Sequence, residues 1–193
     1  MFELNEYTPF AKGAKKIFKK IDESLPDLGQ PIQTFIAGGV AVHLWTAYRV
    51  SIDVDTMFSH NIHIPQDLNV FYLDENHESQ IIQFDYTYSP TFGLLHPDFK
   101  ERTVPLAEKS CRNIQLNVLS PVDLAITKLS RFAEKDQEDI QRLINFDLLG
   151  DPDSFEELVE DALSYYIGDD TMIKFNIDDV LTWMSKDATL GPQ

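Results

Sequence analysis

Cysteine is nearly absent from this chain. The single Cys111 excludes an intramolecular disulfide and a cysteine-built metal site, which fits a reducing compartment. No apolar run reaches membrane-spanning length. The opening MFELNEYTPFAKGAKK lacks the apolar segment of a secretory signal, so a cytoplasmic protein is expected. Basic residues are scarce as well: 16 Lys and Arg stand against 32 Asp and Glu, a net charge of −16. Such a surface repels phosphate backbones and argues against general DNA binding. The imbalance is steepest in residues 151–193, with eleven acids and two bases, against twenty-one and fourteen in residues 1–150. Internal repeats and low-complexity tracts are also lacking.

What is present suffices for a globular core: 193 residues, 43% hydrophobic and 11% aromatic. Phe10, Ala14, Ile17, Ile21 and Leu25 recur at helical spacing within residues 9–25. QTFIA (33–37) reads as a short buried strand, and residues 40–48 as a helix. VSIDVDTMFS (50–59) and SQIIQFDYTYS (79–89) read as strands, whereas IPQDLNVFYLDE (64–75) is expected to begin a short helix. ERTVPLA and NIQLNVLS are further strand candidates. Ser120, Pro121 and Asp123 then form a helix start, and the remaining chain is helical in pattern. The expected fold is α/β (α+β), a mixed β-sheet flanked by helices with a helical C-terminal extension. Residues 1–119 would form the α/β core and 120–193 a helical region completing the same domain.

Within FIAGGVAVHLWTAYRVSIDVD, two features carry chemistry. Asp53 and Asp55 alternate on a strand, so both project to one face. Two carboxylates that close repel each other unless a cation lies between them. Mg²⁺ or Mn²⁺ fits, because Mg²⁺ binds through one or two carboxylates and leaves positions for phosphates. A solvated edge strand is the plainer reading of the same pair. Gly38 and Gly39 fall where a strand gives way to a helix, where backbone N–H groups can receive a phosphate. A simple tight turn is the alternative there. His60 and His63 sit in a probable loop without a matching cluster, and His43 reads as helix packing.

The spacing of GG, thirteen residues and DVD resembles the signature of the DNA polymerase β-type nucleotidyltransferase superfamily. Arg49 and Ser51 ahead of the pair make it similar to the R-x-[ST]-x-D-x-D form of AbiEii-like and DUF6036-type bacterial proteins. A second segment, residues 118–143, resembles the later helical motif of that family through Lys128, Leu129, Arg131, Lys135, Asp136 and Asp139. The resemblance implies a Mg²⁺- or Mn²⁺-dependent transfer of a nucleoside monophosphate from an NTP to an acceptor hydroxyl on a protein or tRNA. It implies metal binding by Asp53 and Asp55. It also implies a third carboxylate from a later strand, for which Asp85 is the candidate and Asp74 and Asp98 are weaker ones. Gly38, Gly39, Arg49 and Ser51 would bind the nucleotide, together with Lys128, Arg131, Lys135, Asp136 and Asp139. Many relatives carry Ser at the second glycine position, so Gly39 could offer only its backbone. Relatives include toxin components, which implies an antitoxin protein as partner. On one continuous helix, Lys128, Arg131, Lys135 and Asp139 would share a face and could meet triphosphate charge; a salt-bridged helix surface is the alternative. A module of the same fold that binds nucleotide or protein without turnover is the second functional reading.

Overall fold

A computed structural model describes residues 3–88, 93–107 and 111–190. The fold is mixed α/β, and the chain divides into two compact units: Met1–Tyr88 with Thr103–Leu119, and Ser89–Arg102 with Ser120–Gln193. Among the described residues, no helix is long and apolar enough to cross a membrane.

The first unit opens with α1 (Pro9–Ser24), started by the Thr8 hydroxyl, which accepts from Ala11 N at 3.1 Å. Its apolar stripe, Phe10, Ala14, Ile17, Phe18 and Ile21, is fully buried. Each such side chain contributes on the order of 2 kcal/mol of burial free energy. β1 (Ile32–Ile36) leads through Ala37 into α2 (Gly38–Thr46), which Ala47 ends in the left-handed region at φ 56°. The helix therefore starts two residues before the expected 40 and stops short of 48.

The expected strand 50–59 is not one strand. Asp53–Val54 (β2) pairs in parallel with β5 (Ser79–Phe84), while Thr56–Phe58 (β3) pairs antiparallel with β1. The chain passes from one sheet to another at Asp55. A second correction concerns residues 64–75. The segment contains a strand, β4 (Asn69–Leu73), rather than a helix start. Val70 and Tyr72 point inward while Phe71 and Leu73 point out, so apolar residues on both faces hid the period of two. β5 ends at Phe84, short of the expected 89, because Asp85 bonds Thr87 in a turn; Ser89 lies outside the described residues. β6 (Val104–Pro105) and β7 (Ile114–Val118) complete the unit. The sheet orders are β3-β1-β7-β6 and β2-β5-β4, with α1 against β4 and β5. Asp22, at the end of α1, accepts from the backbone N–H of Arg112, Asn113 and Ile114 at 3.0, 2.6 and 3.0 Å, which anchors the start of β7.

The second unit is helical: α3 (Pro121–Leu129), α4 (Glu134–Asn145), α5 (Pro152–Ser164) and α6 (Thr171–Leu190), preceded by a 3₁₀ turn at Phe99–Arg102. Ser120 caps α3 as expected, its Oγ accepting from Asp123 N at 3.1 Å. The expected single helix through 128–139 breaks, however. Phe132 adopts φ 50°, and its ring stacks on Trp183 at 5.7 Å between centroids. Lys128, Arg131, Lys135 and Asp139 therefore do not form one stripe.

Candidate functional site

The site is built where β1 meets α2. Gly38 has φ 55°, a conformation that glycine adopts without steric cost. It also has no room for a side chain, since a Cβ there would lie 1.7 Å from Asp55 Oδ2. The same glycine that starts α2 is thus the floor on which the Asp55 carboxylate rests. Ala37, at the helix cap, makes no side-chain cap bond. An anion beside this N-terminus is favoured by its backbone dipoles. The backbone completes the join, with Ala37 N donating to Asp55 O at 3.0 Å. A Cβ on Gly39 would lie 2.7 Å from Ser51 Cβ and 2.9 Å from Arg49 Nε. The two glycines therefore receive Asp55, Ser51 and Arg49 in one close approach, all within the first unit.

Asp53 projects outward from β2, and its Oδ1 accepts from Gln83 Nε2 at 3.0 Å. The loop ahead of it is tied by His43. The imidazole Nδ1 bonds Arg49 O at 2.5 Å and Nε2 meets Thr8 Oγ1 at 2.7 Å. With Nδ1 donating, Nε2 accepts from the Thr8 hydroxyl. Burial pushes the His43 pKa down, against the raising effects of the Arg49 carbonyl and the charge of Glu75. His43 is thus a packing residue, as its helix position implied, and it anchors the Arg49 loop as well.

Asp85 follows β5 beside the pair, its backbone N donating to Val54 O at 3.2 Å. Its Oδ1 accepts from Thr87 N and Oγ1, both at 2.7 Å. Tyr88 is a residue that motif reading missed. Burial, then the negative charges of Asp55 and Asp85, push its phenol up to about 12, so it stays protonated. Asp74 is spent on the β4–β5 turn, where its carboxylate accepts from Asn76 N, Glu78 N and Gln80 Nε2, each at 2.9 Å. Asp98 lies in the other unit, and His60 is exposed and bonds Ser59.

Among the described residues, no three His, Cys, Asp or Glu side chains converge into a metal-holding group. Asp53 is held by Gln83 at the end of β2 and Asp55 by the Gly38 turn, and Asp85 joins them through its backbone bond to Val54. Two carboxylates are hard oxygen donors that suit Mg²⁺ or Mn²⁺, and the Gly38 floor holds one of them in place.

The later motif forms a clamp inside the helical unit. Lys128 is buried, its Nζ 2.8 Å from Asp139 Oδ2 and 3.5 Å from Asp136 Oδ1. Arg131 donates through Nε and Nη2 to both oxygens of Asp136, each at 2.7 Å. Burial pushes the Asp136 carboxyl up, but the Arg131 hydrogen bonds, the charges of Lys128 and Arg131 and the Ala133 amide together hold it below its ordinary range. Lys135 is exposed.

A family model described as "Nucleotidyltransferase of unknown function (DUF6036)" matches residues 14–184. No curated protein and no solved structure matches the chain.

Proposed function

Because the chain belongs to the DUF6036 family, described as nucleotidyltransferases of unknown function, we propose that it is a Mg²⁺- or Mn²⁺-dependent nucleotidyltransferase. It moves a nucleoside monophosphate from an NTP to an acceptor hydroxyl on protein or RNA. One observation carries this reading: the Asp55 carboxylate lies against Gly38 at the start of α2, two residues after Asp53. Asp53 and Asp55 hold the metal, which when bound neutralises charge on the triphosphate during in-line displacement. The Gly38–Gly39 turn offers backbone N–H groups to phosphate oxygens. Arg49, lying against Gly39, supplies the adjoining cation, and Ser51 shapes the same turn. Asp85 receives the acceptor proton. Tyr88 stays protonated under burial and the charges of Asp55 and Asp85. Lys128, Arg131, Asp136 and Asp139 hold α3 to α4 within the helical unit, and Lys135 is exposed there. The likeness to AbiEii-type proteins supports a toxin-like role with an antitoxin partner.

The test is thermal. An NTP with Mg²⁺ at about a hundredfold over Kd should stabilise the protein by about 2.7 kcal/mol, read as a rise in Tm. Asp53→Asn with Asp55→Asn should remove the metal-dependent part and leave the fold intact. An unchanged response in the double variant would overturn the assignment. The lack of a three-ligand group among the described residues favours a second reading, a nucleotide-binding module without turnover. Release of pyrophosphate from a labelled NTP distinguishes the two.

A further inference from the structure

The three-stranded sheet leaves one face open. On it Phe71 pairs with Ile81, Leu73 with Ser79 and Asn69 with Gln83, and β2 adds Asp53 beside Gln83. The opposite face, Val70, Tyr72, Ile82 and Phe84, is buried. On the open face Phe71 is 69% exposed, Leu73 58% and Ile81 37%. Large apolar side chains grouped this way mark an interaction surface.

Charge decides what fits there. From Val50 to Phe99 the chain contains no lysine or arginine, while residues 50–88 contain seven acids. Asp74, Glu75 and Glu78 lie at the β4–β5 turn, Asp67 precedes β4 and Asp53 lies at the far side. Lys20, reaching Asn69 O at 3.0 Å from α1, is a cation at this margin. An acidic rim around an apolar centre repels a phosphate backbone and suits lysine- or arginine-flanked apolar side chains. The face also runs into the candidate site. Ile81 is one strand and two residues from Asp53, about 8 Å at ordinary strand spacing, and the Gln83–Asp53 hydrogen bond lies between.

We propose that this face docks the acceptor, and that the acceptor is a polypeptide with a basic, apolar segment beside a Ser, Thr or Tyr hydroxyl. The proposal rests on the nucleotidyl-transfer reading. The acceptor oxygen forms a bond to the α-phosphorus of the NTP as the α–β anhydride bond breaks. Pyrophosphate leaves with the bonding electron pair, and the hydroxyl proton passes to Asp85.

The test gives the full-length protein an α-³²P-labelled NTP with Mg²⁺ and two separate acceptor pools from a bacterial extract. One pool is RNase-treated protein and the other is phenol-extracted RNA. Protease-sensitive label in the protein pool is expected, falling at least tenfold in Phe71→Ser/Ile81→Ser. The NTP-dependent Tm rise should be unchanged in that variant. Label in the RNA pool, or protein labelling indifferent to the variant, overturns the proposal. A second arm needs no turnover: a synthetic Lys/Leu/Tyr peptide is titrated into ¹⁵N-labelled protein, with a Glu/Leu/Tyr peptide as control. Only the cationic peptide should shift the amides of Phe71, Leu73 and Ile81; the absence of such shifts, or equal shifts from both peptides, overturns docking. Loss of the NTP response with these shifts retained would instead overturn the nucleotidyl-transfer reading and leave the docking surface.

Discussion

A single methyl group at Gly38 would occupy the place of the Asp55 carboxylate, since the added Cβ falls 1.7 Å from Oδ2. Gly38→Ala should therefore lose the metal- and NTP-dependent rise in Tm. The left-handed φ adds a backbone cost of about 1–2 kcal/mol, which must be separated from the clash. Gly29 supplies the control: it has φ 70° and nothing within 4 Å of an added Cβ. Gly29→Ala should lower stability by that backbone cost alone and keep the full ligand response. Equal ligand responses in the two variants would show that Gly38 does not seat the carboxylate. The glycine turn was legible because backbone freedom is a local property, whereas the alternation expected of Asp53 and Asp55 on one strand was not kept, because the chain changes sheets at Asp55. The contact between turn and carboxylate is tertiary, and no spacing rule states that Gly38 touches Asp55. Tyr88 was not legible at all, because nothing in QFDYTY separates a packing aromatic from one set beside two carboxylates.

Beside the packing of Ile126, Leu129, Ile140 and Leu143, an ion-pair cluster joins α3 and α4. Lys128 is buried against Asp136 and Asp139, and Arg131 grips Asp136 with two hydrogen bonds. Asp136 has a folded-state pKa below its unfolded value of about 3.9. Its contribution is complete above that unfolded value and is lost as pH falls through the lower folded one. Acid unfolding below about pH 4 should thus draw on this clamp. Asp136→Asn should cost about 2–3 kcal/mol at pH 7, the scale of charged hydrogen bonds lost from a buried acceptor. The cost should shrink as pH falls below 4, as chemical denaturation at several pH values would show. A pH-independent cost would mean the carboxylate charge contributes nothing. The Ser120 cap and the start of α3 were legible from Ser, Pro and Asp in sequence. The break before α4 was not, because no glycine or proline marks it; Phe132 takes the positive φ while its ring stacks on Trp183. β4 was misread for the complementary reason, its outward side chains being as apolar as its inward ones.

Across the whole molecule, the mixed α/β class was legible from the order of strand-like and helical segments, whereas the use of two sheets was not. That partition depends on one residue, Asp55, where the chain leaves the three-stranded sheet for the four-stranded one. β2 contributes only two residues to its sheet, joined by Gln83 N to Ile52 O at 2.8 Å and Asp85 N to Val54 O at 3.2 Å. β7, by contrast, pairs with β1 over five residues. Amides at Gln83 and Asp85 should therefore exchange with solvent faster than those of Ile114–Val118, because a two-residue pairing opens at lower free energy than a five-residue one. Equal protection would make the two sheets a single cooperative block. The carboxylate pair straddles this seam, Asp53 belonging to the two-residue strand β2 and the Asp55 carbonyl to the end of β1. Warming should unfasten the seam first, so metal-dependent turnover should vanish several degrees below the loss of helical circular dichroism, and cooling should restore it without refolding the rest of the chain.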